Sequence, residues 1–278
     1  MIVAGLDVGS LTAKAVILDG EKILASHLQQ VRSRPEEAAV EVMGKAVAAA
    51  GLAMADVACV VGTGYGRSRI LFANDTISEI ACHGKGASWL LPSVRTIIDV
   101  GGQDAKAIRV DETGRVVRYV YNDKCASGTG RFLEVMAEAL ELKIEDMGEI
   151  SFKATSPVRI TNQCVVFAET EVISMVNSGS KIPDVISGLH TAMANRISSM
   201  VKGIGGVERE VTMAGGVAKN KGIYTALEEA LGVKMVPMAL DPQLNGAVGA
   251  ALFAREAMIT RGDVPGAGVF QGDFCKGS

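Results

Sequence analysis

The sequence of 278 residues is poor in aromatic side chains, which make up 4% of it and include one Trp and four Tyr. It is equally poor in concentrated positive charge, since its 28 Lys and Arg residues are scattered among 31 Asp and Glu residues. Proteins that bind nucleic acid present a basic surface, and those that bind single strands add aromatic side chains on which bases stack. The composition therefore argues against nucleic acid as a partner.

Long uninterrupted apolar runs are also absent, although apolar residues form 48% of the sequence. Charged residues such as Glu41, Lys45 and Asp56 interrupt the most apolar stretches, so none is long enough to cross a bilayer as a helix. The sequence starts in an apolar run, with no basic segment and small-residue cleavage site. We expect no membrane span and no export signal, and a cytoplasmic protein of one or two domains.

The five cysteines form no CxxC pair and no regular framework. In a reducing compartment such cysteines are buried, catalytic or metal-bound rather than paired as disulfides. Cys59 lies in an apolar strand and Cys82 on the apolar face of a helix, so both are predicted to lie in the core. Cys125 and Cys164 each lie in a polar turn directly before a predicted helix, which fits either thiolate ligands or core cysteines.

What the sequence does contain is one strand–turn–strand motif that occurs twice. Residues 6–19 are repeated as residues 98–111, at a constant offset of 92 residues from Asp7 to Asp99. Seven positions are identical: Asp7/Asp99, Val8/Val100, Gly9/Gly101, Ala13/Ala105, Lys14/Lys106, Ala15/Ala107 and Asp19/Asp111. Glycine in such a turn lets backbone N–H groups approach an anion, and the strand-end aspartate can hold hydrated Mg²⁺ beside it. A single copy would fit an ordinary hairpin, but two copies indicate two similar lobes that hold one phosphate chain.

A third glycine turn, at 214–220, follows a predicted strand and leads into a helix. A close backbone approach at Gly215 and Gly216 suits a nucleoside, with Lys219 and Asn220 as polar neighbours, although an ordinary strand-to-helix turn is the alternative. The glycine-rich loop 62–67 lacks the Gly-Lys-Ser/Thr ending of a P-loop and fits either a rim loop or an ordinary turn. Short strands are also predicted at 158–161 and 234–236.

The order of these motifs resembles the actin/Hsp70/sugar-kinase ATPase superfamily: LDVGS, then IDVGGQD, then MAGGVAKN, then a helix of small residues at 245–254. Within it, NDKCASGTGRFLE and NQCVVFAETEVIS resemble the activators (archerases) of 2-hydroxyacyl-CoA dehydratases and the ATPase subunits of benzoyl-CoA reductase. The resemblance covers about residues 2–255. It implies an α/β fold of two related ribonuclease-H-like lobes with the nucleotide between them. Lobe I would be 1–94 with the helix 243–260, lobe II would be 95–242, and 261–278, which contains Cys275, would be a flexible tail.

The resemblance further implies an ATP-dependent one-electron donor with a [4Fe-4S] cluster shared across a homodimer, each chain supplying Cys125 and Cys164. The electron would come from ferredoxin or flavodoxin and pass to the acyl-CoA dehydratase or reductase component. Asp7 and Asp99 would hold Mg²⁺ through water, and Gln103 or Asp104 would orient the attacking water. The expected contacts to ATP or ADP are Gly9, Ser10, Leu11, Thr12, Lys14, Gly101, Gly102, Gly215, Gly216, Lys219, Asn220 and Gln243.

Three alternative interpretations stay open. An ATPase subunit of a benzoyl-CoA reductase would share the motifs, and its dimer mate need not be identical. A small-molecule (sugar) kinase of the same fold would use Asp104 as a base and would release a phosphorylated product. A zinc-stabilised module would gather Cys82, Cys125 and Cys164 around one metal ion and would be a monomer.

Overall fold

The computed structural model describes residues 1–31, 34–162 and 164–260, so the predicted tail 261–278 with Cys275 lies outside the described residues. The described strands are β1 (Ile2–Val8), β2 (Thr12–Asp19), β3 (Lys22–Gln30), β4 (Cys59–Thr63), β5 (Asp75–Thr76), β6 (Thr96–Val100), β7 (Ala105–Val110), β8 (Val116–Asn122) and β9 (Val211–Ala214). The described α-helices are α1 (Pro35–Ala49), α2 (Glu79–Leu90), α3 (Gly130–Ala139), α4 (Met147–Ser151), α5 (Val165–Asn177), α6 (Ile182–Gly203), α7 (Lys221–Leu231) and α8 (Asn245–Thr260).

The chain forms two compact units. Unit 1 comprises Met1–Leu90 and the segment that begins at Gln243, and unit 2 is Leu91–Pro242. The chain therefore passes from one unit to the other twice, directly after α2 and shortly before α8. Among the described helices, none combines the length and the hydropathy that a membrane span requires.

The sequence repeat corresponds to a repeat of sheet topology. Unit 1 has a five-stranded sheet in the order β3-β2-β1-β4-β5, and unit 2 has a four-stranded sheet in the order β8-β7-β6-β9. In each sheet three consecutive strands pair antiparallel, and a later strand pairs in parallel with the first of them. Nearly every position of β1, β2 and β6 is buried, which explains why these strands read as continuous apolar runs.

Local sequence accounts for several helix ends. Pro35 starts α1, where its missing N–H and fixed φ fit the first helical turn. Asn220 caps α7 because its side-chain oxygen accepts the Ile223 N–H at 3.1 Å. The same helix stops at Gly232, which has a left-handed φ of 67°.

The predicted short strands at 158–161 and 234–236 are wrong, because both segments are irregular in the structure. Val236 does donate one backbone hydrogen bond to Val211 O at 2.8 Å and accept one from Thr212 Oγ1 at 2.6 Å. These two hydrogen bonds of Val236 to β9 are not continued along the segment, so no strand pairing forms there. The apolar character of these segments reflects packing in unit 2, because Val158 packs against its core and Met235 is buried in that core.

Helix α8 packs at backbone distance against its neighbours in unit 1. A Cβ added to Gly249 would lie 1.8 Å from Cys82 O, and one added to Gly86 would lie 2.3 Å from Asn245 O. A Cβ on Gly5 of β1 would lie 2.0 Å from Ala247 O. The small residues of α8 and these glycines therefore allow the backbones of α2, α8 and β1 to come into contact. This packing brings the start of α8 close to the end of β1. The prediction that Cys59 and Cys82 lie in the core is confirmed, since they are 2% and 0% exposed.

Candidate functional site

The two copies of the motif close with the same backbone hydrogen bond. Gly9 N–H donates to Thr12 O, and Gly101 N–H donates to Asp104 O, at 2.9 Å in each copy. The residues at the tips of the turns are half-buried or exposed: Ser10, Leu11, Gly102 and Gln103. The predicted phosphate-binding residues thus lie in two tight turns at the carboxyl ends of β1 and β6.

The two copies also share a buried ion pair. Strand register places Asp7 opposite Lys14 and Asp99 opposite Lys106. In both pairs the Nζ atom lies 3.1 Å from the aspartate Oδ2, and all four side chains are buried. A buried carboxylate is costly unless it is paired, so each lysine compensates for the burial of its aspartate and fixes its orientation.

The duplication extends to a glycine that the sequence motifs did not reveal. Gly64 follows β4 and Gly215 follows β9, with φ of 87° and 83°. A Cβ on Gly64 would lie 2.4 Å from Asp7 Oδ1, and a Cβ on Gly215 would lie 2.9 Å from Asp99 Oδ1. Both turns therefore need glycine in order to pack against the aspartate. The constant offset of the repeat does not find Gly64, because the chain from Asp99 to Gly215 is much longer than the chain from Asp7 to Gly64.

The two turns differ in charge. Lys106 Nζ also lies 3.0 Å from Asp104 Oδ2, so in unit 2 one ammonium group is shared by two carboxylates. Tyr121 OH donates to the same Asp104 oxygen at 3.3 Å, and its ring centroid lies 5.3 Å from Lys106 Nζ. Among the described residues of unit 1, a single carboxylate, Asp7, faces a single ammonium group, that of Lys14. The excess negative charge on the Asp99–Asp104 side suits a hydrated divalent cation better than the balanced pair does.

The first turn of α8 lies beside both Asp7 and His83, a residue of α2. A Cβ on Gly246, in the first turn of α8, would lie 2.8 Å from Asp7 Oδ2 and 3.3 Å from His83 Nε2. Asn245 Nδ2 lies 3.1 Å from His83 Nδ1 and 3.1 Å from His83 O. His83 and Asn245 were missed in the sequence because they lie on α2 and α8, far along the chain from Asp7.

The third glycine turn is held by polar contacts inside unit 2. Gly215 N–H donates to Pro242 O at 3.0 Å, and Lys219 Nζ contacts Asp241 Oδ2. Gly216 is exposed and Asn220 is half-buried. Gln243, predicted to contact the nucleotide, begins the return segment to unit 1 and is half-buried.

Cys125 and Cys164 occupy similar positions. Both are free thiols, Cys125 half-buried and Cys164 exposed, and each lies in the turn before a helix, α3 or α5. Those two helices contact each other. Asn122 Nδ2 donates to Cys125 O at 2.8 Å and so holds the first cysteine turn in place.

A single carboxylate holds the second cysteine turn. Glu171, on α5, accepts two hydrogen bonds from Thr161 and two from Asn162, all between 2.7 and 2.9 Å. Burial disfavours its charge, yet these hydrogen bonds outweigh it and lower the pKa of Glu171 below its ordinary value. The segment that leads to Cys164 is thus tied to the helix that follows it.

The hypothesis of a zinc ion bound by Cys82, Cys125 and Cys164 of one chain is wrong. Across the described ranges no three His, Cys, Asp or Glu side chains are gathered so that they could hold a metal ion. Burial, only partly offset by a hydrogen bond with Thr63, raises the pKa of the Cys82 thiol to about 12. Cys82 therefore stays protonated in the core of unit 1, whereas the other two cysteines belong to unit 2.

Hydrogen bonds connect the turn that follows β6 to the helix that follows the Cys125 turn. Gly130 N–H donates to Gly101 O at 2.8 Å, and Arg131 N–H donates to Gly102 O at 2.7 Å. These two donors are the first residues of α3, the helix that follows Cys125. The turn and the start of the helix therefore cannot move independently without breaking these bonds.

The sequence matches the model of the BadF/BadG/BcrA/BcrD ATPase family over residues 4–254. It is 45% identical over 258 residues to the 2-hydroxyisocaproyl-CoA dehydratase activator of Clostridioides difficile, which covers 91% of this chain and 95% of that protein. It is 35% identical over 261 residues to one of the subunits of the benzoyl-CoA reductase of Thauera aromatica, covering 91% and 92%. The resemblance drawn from the motifs is confirmed.

Solved structures agree. The activator of the 2-hydroxyisocaproyl-CoA dehydratase from Clostridium difficile with bound ADPNP superposes with a TM-score of 0.89 at 44% identity, covering 97% of this chain and 100% of that one. A ROK family glucokinase from Streptomyces griseus superposes with a TM-score of 0.57 at 13% identity, covering 92% and 100%. The second likeness shows the fold alone. The predicted actin/Hsp70/sugar-kinase-like fold is confirmed.

Proposed function

The chain belongs to the BadF/BadG/BcrA/BcrD ATPase family, and on this basis we propose that this ATPase passes one electron to a 2-hydroxyacyl-CoA dehydratase. Identity is higher to the dehydratase activator, at 45%, than to the benzoyl-CoA reductase chain, at 35%. Both cysteine motifs and both phosphate turns also lie in this one chain. These facts favour the dehydratase activator over the benzoyl-CoA reductase ATPase, and likeness of fold is the only support for a sugar kinase.

In this proposal the duplicated turns bind the phosphates of ATP. Asp99 and Asp104 supply the negative charge for hydrated Mg²⁺, and Asp7 adds the equivalent carboxylate from the first copy. Gln103, exposed at the tip of its turn, or Asp104 orients the attacking water, and the glycine turns stabilise charge on the phosphates. The nucleoside and the remaining phosphate contacts involve Gly9, Ser10, Leu11, Thr12, Lys14, Gly101, Gly102, Gly215, Gly216, Lys219, Asn220 and Gln243.

Cys125 and Cys164 are the thiolates that would hold a [4Fe-4S] cluster. Their chemistry fits the group, because both thiols are free, neither is fully buried, and each precedes a helix whose N-terminus favours negative charge. Two thiolates are half of a four-cysteine set, so a second copy of the chain must supply the others. When bound, the cluster supplies one-electron redox chemistry at low potential, with ferredoxin or flavodoxin as the donor.

The observation that carries the proposal is the pair of hydrogen bonds from α3 to the second phosphate turn. A nucleotide that shifts Gly101 and Gly102 must also shift Gly130 and Arg131, and the Cys125 turn is continuous with them. A second route in unit 2 runs from Asp104 through the Tyr121 hydroxyl along β8 to Asn122, which holds Cys125 O. ATP binding and hydrolysis thereby change the surroundings of Cys125, which is the coupling that an ATP-driven electron donor needs.

Iron analysis of the anaerobically purified chain tests the cluster assignment. We expect about two iron atoms per chain, equal to four per dimer, with a broad visible absorbance. Cys125→Ala is expected to lose the iron and to keep its affinity for MgADP, because the thiol lies outside the phosphate turns. Cys59→Ala, which removes a buried thiol of β4, is the control and should keep its iron. A colourless wild-type preparation that contains zinc, or iron that survives Cys125→Ala, would contradict the assignment.

A further inference from the structure

We infer that His83 is a positioning residue for Asp7: its Nε2–H, fixed by Asn245, holds the aspartate in place beside the phosphate turn. The inference rests on the proposed function, because that function assigns Asp7 to the Mg-nucleotide site.

Contacts with Asn245 determine which ring nitrogen of His83 carries the proton. Asn245 Nδ2 lies 3.1 Å from the main-chain oxygen of His83, and a carbonyl oxygen can only accept. The side-chain atom that faces it must therefore be the amide nitrogen rather than the amide oxygen. The same nitrogen lies 3.1 Å from Nδ1, so Nδ1 accepts and the proton of the neutral ring is on Nε2. Both residues are buried, so bulk water does not compete for these positions.

The protonated Nε2 lies on the Asp7 side of the histidine. The point that a Cβ on Gly246 would occupy lies 3.3 Å from His83 Nε2 and 2.8 Å from Asp7 Oδ2. Glycine at position 246 keeps this point free of a side chain, so a direct contact or one bridging water can join the donor to the carboxylate. The remaining oxygen, Asp7 Oδ1, is beside Gly64, so the carboxylate is confined on both sides.

A neutral donor is useful because the lysine partner of Asp7 is also a phosphate-binding group. Lys14 Nζ lies 3.1 Å from Asp7 Oδ2, and an incoming phosphate would compete for this ammonium group. His83 can then keep the orientation of Asp7 without cancelling the negative charge that Mg²⁺ requires. Groups that hydrogen-bond to a metal ligand without contacting the metal typically contribute about 10- to 100-fold to metal affinity.

Two substitutions separate positioning from packing. In His83→Gln the amide nitrogen reaches about as far as Nε2, so a donor toward Asp7 is retained. In His83→Asn the amide reaches only about as far as Nδ1, so Asn245 keeps a partner and Asp7 loses its donor. Isothermal titration of the anaerobically purified full chain with ADP, in Mg²⁺ and in EDTA, measures the effect, and urea denaturation of each variant measures stability.

We expect His83→Asn to weaken binding of MgADP about tenfold and to leave binding of ADP in EDTA unchanged, whereas His83→Gln stays within about twofold of wild type. Asn245→Ala removes the group that places the His83 proton on Nε2 but leaves His83 in place, so it should lose affinity for MgADP only in part. Equal MgADP affinity in all variants, or equal loss in the Asn and Gln variants that follows their loss of stability, would overturn the inference. If the wild-type chain binds no MgADP, both the proposed function and this inference are wrong.

Discussion

At the scale of single residues, His190 on α6 makes stability depend on pH. It is 2% exposed, and in the described part of the chain neither ring nitrogen has a hydrogen-bond partner. Burial lowers the pKa of His190 from 6.5 to about 4. Below pH 6.5 the unfolded chain therefore takes up a proton that the folded chain does not, and stability falls until the pH reaches the folded value.

From this shift we expect His190 to cost about 2 kcal/mol of folding free energy when the pH falls from 7 to 5. Urea denaturation at the two pH values, compared between wild type and His190→Leu, isolates the contribution. The leucine variant should lose less stability over this range, and at pH 7 it should be no less stable, because two unpartnered buried nitrogens are removed. The same pH dependence in both proteins would show that His190 does not titrate as described.

Residue identity at a constant offset was sufficient to find Asp7 and Asp99, because each belongs to a hairpin whose parts are adjacent in the chain. It was not sufficient for Gly64 or His83. Gly64 lies beside Asp7 through the parallel pairing of β4 with β1, and the packing of α2 against α8 brings His83 near the same glycine, Gly246, as Asp7. Neither contact leaves a spacing that one sequence can reveal.

At the scale of elements, the junction of α2 with α8 tolerates no side chain at its glycines. A Cβ on Gly249 would lie 1.8 Å from the Cys82 carbonyl oxygen, and a helix backbone cannot yield as a flexible side chain can. We expect Gly249→Ala to destabilise unit 1 by about 3 kcal/mol, at the upper end of the usual range for overpacked cores. Thermal or urea denaturation of the purified protein measures the loss.

Gly44→Ala provides the matched control for this prediction. Gly44 is also inside a helix, α1, and no described residue lies within 4 Å of the Cβ that alanine would add. The exchange should stabilise the protein by about 0.5–1 kcal/mol, because alanine loses less backbone entropy in a helix. If both variants shift stability in the same direction and by similar amounts, the close approach of α2 and α8 is not as described.

Elements differed in how far sequence could predict them. Helices such as α1 and α7 carry their own start and stop signals in Pro35, Asn220 and Gly232, so local sequence is enough. The segments 158–161 and 234–236 have apolar residues of the same kind as a strand. Whether such a segment joins a sheet depends on a free edge with matching register, which is a property of the folded unit and not of three or four residues.

At the scale of the whole molecule, the repeated motif was enough to predict the fold, because each copy forms the first hairpin of its own sheet. The repeat does not predict how chains assemble, and in the proposed function one chain provides only half of the four thiolates. The structure does show an apolar face that ordinary packing leaves uncovered. Val166, Phe167 and Ile173 of α5 are 62%, 63% and 42% exposed, and the helix begins directly after Cys164.

We therefore expect α5 to lie at the interface of a homodimer. Val166→Glu would bury a charge there, so it should convert the dimer into monomers and release the iron, as measured by analytical ultracentrifugation and iron analysis. Val40→Glu is the control, because Val40 is a helical valine of matching exposure, 61%, on α1 of unit 1. It should remain dimeric and retain its iron. A Val166→Glu protein that keeps both its dimer and its iron would contradict a shared cluster beside α5, since a buried glutamate at the interface leaves no room for that assembly.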